Sequence, residues 1–213
     1  MIAATRFWPK YDCDDAGLNC TFGESGGPGL PCPASGCSPP VDSKFEATFG
    51  AADGRDWYNS SHVDGWTLPY QAEFNCAGDA SNTADLNCQG LNQSNCPSQE
   101  IVGAGLDVSL SAFNPDKGNQ YAGCYSPCGL LTYTNWNNQY GNFTPPQAPA
   151  DQYCCAGAFD TNPTCWTGPN PTMTYTDVIH ANCDSYAWAY DDAVGLKARP
   201  SENVDFCLTF YTP

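Results

Sequence analysis

A chain of 213 residues with 14 cysteines, an even number and far more than a cytosolic protein of this length keeps as free thiols, belongs in an oxidising compartment. Its 23 acidic side chains against 7 basic ones give a net charge of −16, which repels nucleic acid and anionic lipid and argues against both as partners. The cysteine spacings are irregular, without paired C-x2-C knuckles, and only His62 and His180 offer ring nitrogens, so we expect neither a structural metal nor another cofactor.

The opening Met1-Ile-Ala-Ala-Thr-Arg6 lacks the apolar stretch of a signal peptide, and no window approaches the ~18 apolar residues of a membrane span. We expect no stable membrane insertion, and a secretory leader either already removed or missing from this sequence. From Gly23 to Pro40 the composition is nearly all Gly, Pro, Ser and Cys, which builds no packed element and reads as a loop held by Cys20, Cys32 and Cys37. Lys44-Phe-Glu-Ala-Thr-Phe49 then alternates as a half-buried strand does, and so does Phe206-Cys-Leu-Thr-Phe-Tyr211 near the other end. Glu100 to Phe113 spaces Ile101, Val102, Leu106, Val108 and Leu110 in a way that suggests a helix and also allows a strand. Tyr175 to Ala181 sets Tyr175, Val178 and Ile179 on one helical face. The half between Cys76 and Cys183 is dense in cysteine and poor in clear strands, and reads as a loop-rich lobe docked on a β core. N-x-S/T sequons at Asn19, Asn59, Asn92 and Asn142 fit a secretory route.

Several motifs recur in a fixed order. Phe45-Glu46, Asp56-Trp57-Tyr58 and Val63-Asp64-Gly65-Trp66-Thr67-Leu68-Pro69 make a strand glutamate, an aromatic pair and a VDG-aromatic-x-φ-P run. Gln152-Tyr153-Cys154-Cys155 and the run from Cys183-Asp184 to Asp191-Asp192 follow downstream, and Arg6-Phe7-Trp8 leads into Cys13. In these motifs the chain resembles the thaumatin-like family over nearly its whole length. The resemblance implies one domain over 1–213, mainly β: a flattened β-sandwich from 1–75 and 185–213 with a stapled loop at 13–40, a disulfide-rich loop and helix lobe at 76–184, and an acidic cleft between them. Family members carry further strands before the R-φ-W, with a cysteine there that pairs near the C-terminus. Both partners are missing here, and a truncated gene product and a natural short form are both open readings.

By the same resemblance Cys13 pairs with Cys20, Cys88 with Cys183, Cys96 with Cys124, Cys128 with Cys154 and Cys155 with Cys165. Ser25 stands where the family has a partner for Cys32, so Cys32 joins Cys37, and Cys76 is left for Cys207. Each closure of this kind contributes about 2 to 4 kcal/mol.

Glycoside hydrolysis needs one protonated carboxyl to serve the leaving oxygen and one ionised carboxylate to attack or to activate water. The resemblance places the family's cleft residues on Arg6, Glu46, Asn59, Asp64 and Asp184, with Asn59 standing where an aspartate is expected. An amide there carries no charge and transfers no proton, yet still bonds a sugar hydroxyl. We expect Glu46 as general acid, raised by like charge, and Asp64 as base or nucleophile. Arg6 would hold one carboxylate ionised, and Asp184 would orient water or substrate. Trp57, Tyr58, Trp66 and Tyr70 surround these positions in sequence and suit both a core and the apolar face of a pyranose. Asp191 and Asp192 read as turn formers, and His62 and His180 as hydrogen-bonded residues without a nucleophile.

Two functions follow. The first is a secreted, monomeric protein that binds β-1,3-glucan or another cell-wall polysaccharide and hydrolyses it weakly. The second is a non-catalytic antifungal or defence protein that acts on membranes or on a protein partner.

Overall fold

A computed structural model describes residues 2–23, 41–74, 85–201 and 205–212. Among these residues twelve strands run in chain order as β1 (Ile2–Phe7), β2 (Lys44–Phe49), β3 (Arg55–Ser61), β4 (Gly65–Trp66), β5 (Tyr70–Phe74), β6 (Leu86–Asn87), β7 (Glu100–Val102), β8 (Leu106–Val108), β9 (Ser111–Asn114), β10 (Gln120–Tyr125), β11 (Lys197–Pro200) and β12 (Phe206–Phe210). Beside five single-turn 3-10 helices these residues form five short α-helices: α1 (Pro127–Thr132), α2 (Ala150–Tyr153), α3 (Asn162–Cys165), α4 (Thr174–Asn182) and α5 (Asp192–Gly195). Every pairing between named strands is antiparallel.

The alternation read at 44–49 becomes β2, the second strand of a four-stranded sheet ordered β1-β2-β3-β11. A second sheet is ordered β12-β5-β6, with Phe206 opposite Phe74 and Phe210 opposite Tyr70. Period-2 geometry sends alternate side chains to opposite faces. Phe7, Phe45 and Phe49 accordingly meet Phe206 with ring centroids 5.5, 5.8 and 5.1 Å apart, and Tyr58 meets Phe74 at 4.8 Å. Of these rings Phe45, Tyr58 and Phe74 are buried, and each contributes about 1.5–3 kcal/mol by leaving water. Tyr70 ties the layers further, its hydroxyl donating to the Lys44 carbonyl at 3.0 Å and lying 2.5 Å from Ser60 Oγ.

The disulfide-rich half holds more strand than its composition suggests. The helix reading of Glu100–Phe113 is corrected there: the segment forms β7, β8 and β9. Gly103 and Gly105 sit at φ of +59° and +87° and turn β7 back on β8, a geometry that ends any helix. The helix expected at Tyr175–Ala181 is present as α4. Its N-terminus is closed by Glu100, whose carboxylate accepts from the Thr174 and Tyr175 amides at 3.4 and 2.7 Å.

Cys13–Cys20, Cys88–Cys183, Cys96–Cys124, Cys128–Cys154 and Cys155–Cys165 are all formed, as the motif resemblance implied. Cys207 is also disulfide-bonded. The expected bridge of Cys32 with Cys37, and Cys76 as the partner of Cys207, lie outside the described residues, as does the 24–40 part of the stapled loop. Among the described residues no helix is long and apolar enough to cross a membrane.

Candidate functional site

Strand register assembles the site. Arg6 of β1 lies opposite Glu46 of β2, and Glu46 lies opposite Asn59 of β3, so three of the expected residues form one row across three strands. Directly paired residues share a face, which also brings Thr48 alongside Trp57. This row floors a groove of about 500 Å³, with Trp57 and Leu196 at its edges. Arg6 holds Glu46 by donating from Nε to Oε1 at 2.8 Å, with the terminal nitrogen 2.7 Å from the same oxygen. Asn59 keeps a side-chain oxygen that is shielded from solvent and lacks a partner within the protein.

Asp64 is not among the residues that line this groove; it is held by the segment around α1 and by β2. Its backbone is fixed by the Ser126 amide, which donates to the Asp64 carbonyl at 3.2 Å, while Ser126 Oγ caps α1. Gly129 in the first turn of α1 allows this approach, since a Cβ there would sit 2.7 Å from the Asp64 carbonyl oxygen. Tyr133, just past the end of α1, then donates to Asp64 Oδ1 at 2.5 Å. The other carboxylate oxygen, Oδ2, pairs with Lys44 of β2. Lys44 is 1 % exposed and Asp64 14 %. Behind Lys44 lies Asp42, also fully buried, with neither carboxylate oxygen hydrogen-bonded. Burial pushes the Asp42 carboxyl well above its usual range, opposed by the Lys44 charge and reinforced by Asp64. Burial, and then the charge of Asp64, raises the Tyr133 phenol far beyond physiological pH, so it stays a donor.

The remaining expected residues separate by burial. Trp57 lines the groove half-buried, and Tyr58 contributes to its lining while its ring packs in the core. Trp66 stacks on Tyr175 with ring centroids 5.4 Å apart, and Tyr70 joins β2 to β5; both are 0 % exposed and present no surface to a sugar ring. Asp184 is exposed, 3.2 Å from Lys197 of β11, and is not among the residues that line the groove. Asp191 accepts from the Ala187 amide and pairs with His180 at 2.7 Å, closing the turn before α5. His62 is enclosed with Nδ1 2.6 Å from Ser185 Oγ. Burial, helped by the Lys44 charge, lowers the His62 ring to about 3, so it is neutral.

Sequence reasoning missed Lys44, Asp42 and Tyr133. Lys44 alternates with Glu46 along β2 and shares its face, but a lysine there reads as solvent-facing, and Asp42 precedes the strand. Tyr133 reaches Asp64 across 69 positions of sequence, and no local pattern announces such a contact. Among the described residues no cluster of three or more His, Cys, Asp or Glu side chains could hold a metal ion.

Several antiparallel sheets, few helices and a framework of five described disulfides define a small β-rich, cystine-stabilised protein with an ion-paired groove on one sheet face. The chain belongs to the thaumatin family, whose model matches residues 3–212. It is 32 % identical over 210 residues to thaumatin-like protein 1 of Pyrus pyrifolia, covering 95 % of this chain and 70 % of that protein. Two further relatives are 28 % identical with the same coverage: a protein of Prunus avium named glucan endo-1,3-beta-glucosidase, and pathogenesis-related protein 5 of Arabidopsis thaliana.

Proposed function

We propose that this chain is a secreted, cell-wall-directed defence protein that binds β-1,3-glucan in the groove floored by Arg6, Glu46 and Asn59. The observation that carries the reading is that row: a guanidinium, a carboxylate and an amide presented side by side next to the half-buried indole of Trp57. Such a set bonds adjacent hydroxyls while the indole takes the apolar face of a sugar ring. Secretion is supported by the disulfides, which persist only where the surroundings are oxidising. Binding of soluble β-1,3-glucan by calorimetry tests it. Trp57→Ala should weaken affinity about threefold to tenfold, the usual worth of an aromatic contact. Equal affinity in the two proteins would remove Trp57 from the site, and no binding by either would end the glucan reading in favour of a defence role on a membrane or protein partner.

Hydrolysis is the second reading, favoured by the relative of Prunus avium named for glucan cleavage. In it Glu46 gives the proton, Asp64 acts as base or nucleophile, and Asp184 orients water. Reducing-end release that disappears in Glu46→Gln would establish it; release unchanged in that variant would assign the activity to a contaminant.

A further inference from the structure

Two residues before the groove-floor Glu46 on β2, Lys44 belongs to a second charge cluster that the groove's own chemistry does not require. Asp42, Lys44 and Asp64 meet there almost out of solvent, with a phenol on the far oxygen of Asp64. We propose that Lys44 is a positioning residue that makes Asp64 a fixed, ionised acceptor for ligand hydroxyls and withdraws it from proton transfer. The binding half of this inference rests on the glucan reading; the charge arrangement stands without it.

Both oxygens of Asp64 are engaged, Oδ2 by the ammonium and Oδ1 by the Tyr133 hydroxyl. A carboxylate acting as base must release one of these donors, and breaking a buried pair of opposite charges strands an ammonium away from water. Each oxygen still has a lone pair, so Asp64 can accept a hydroxyl without giving up either partner. The charge count supports the assignment. The Lys44 ammonium is paired with Asp64, and Asp42, fully buried with no hydrogen-bond donor on either oxygen, carries a proton instead of a second negative charge. Among the described residues, the ionisable groups around Asp64 are Lys44 and Asp42 from β2 and its lead-in, Tyr133 after α1 and Tyr175 from α4. Arg6 of β1 faces Tyr133, and His62, neutral in the fold, feels the Lys44 charge.

Infrared spectroscopy of the oxidised protein at pH 7 reads the cluster directly, with no ligand present. The wild-type protein should show the carbonyl stretch of one buried protonated carboxyl, and Asp42→Asn should erase it; a wild-type spectrum without that band overturns the charge assignment. Lys44→Met should add a second such band, from Asp64, and lower affinity for soluble β-1,3-glucan about tenfold, while Lys44→Arg should keep the single band and most of the affinity. If Lys44→Met folds and keeps the wild-type spectrum and affinity, the positioning role is wrong. If it does not fold, the wild-type, Asp42→Asn and Lys44→Arg spectra still decide the charge arrangement. Glucan binding absent from wild type with the predicted bands present would sink the glucan reading alone.

Discussion

Two cation–carboxylate pairs stand on the same strand two residues apart, and they live in different solvents. Arg6–Glu46 lies on the open groove floor with side chains 47 % and 27 % exposed, whereas Lys44–Asp64 sits under the disulfide-rich half at 1 % and 14 %. An exposed pair gains little, about 0.2–1 kcal/mol, because water and salt screen it. A buried pair is costly to break because the surviving partner must hold its charge without water or take up a proton at a pH where it is ordinarily ionised. The comparison teaches that the floor pair is free to exchange partners with a ligand, while the covered pair is part of the structure.

The largest test of that contrast is Lys44→Met, which should lower stability by about 3–5 kcal/mol in urea unfolding at pH 7. A loss as small as that of an exposed pair would erase the distinction. Acid gives the next effect. His62 is held near 3 in the fold against 6.5 when unfolded, so the unfolded chain binds the extra proton first and stability falls as pH drops from about 6.5 toward 3. The slope is about 1.4 kcal/mol per pH unit, and His62→Gln should flatten it. Asp42 works in the opposite sense. Its folded carboxyl is raised, so its contribution is favourable below the unfolded value of 3.8 and is lost as pH rises through the folded value. Asp42→Asn should therefore stabilise the protein at pH 7 and above relative to wild type, with the gain vanishing in acid; a gain that ignores pH would assign it to packing. The smallest effect belongs to the floor. Arg6→Met should cost no more than about 1 kcal/mol, less at high salt, and a larger loss would show the floor pair to be structural as well.

Much of the fold was legible in the sequence because its markers are local. β2 follows from alternation at 44–49, α4 from the spacing of Tyr175, Val178 and Ile179, and the five described bridges from motif order. The segment 100–113 was misleading because apolar residues at helical spacing also fit short strands, and Gly103 and Gly105 with β-branched Ile101, Val102 and Val108 were the deciding marks. Motif position singled out Arg6, Glu46 and Asn59 as candidates, and strand register sets the three in one row. Trp66 and Tyr70 show the limit of that reasoning. An aromatic beside a functional residue in sequence points to the same face or the opposite one, and only packing against Tyr175 and Phe210 sends these two inward. Lys44 was illegible for a related reason: a lysine in a strand reads as solvent-facing until a distant segment covers it.

The bridge between Cys88 and Cys183 spans 95 positions, and the bridges at 96–124, 128–154 and 155–165 all lie inside it. A protease that cuts any one peptide bond between Cys88 and Cys183 leaves two pieces still joined by at least that outer link. Outside a cell, where digestive enzymes are the common hazard, such a nick releases no fragment: the clipped chain would migrate as a single species on a non-reducing gel and separate only after its disulfides are reduced.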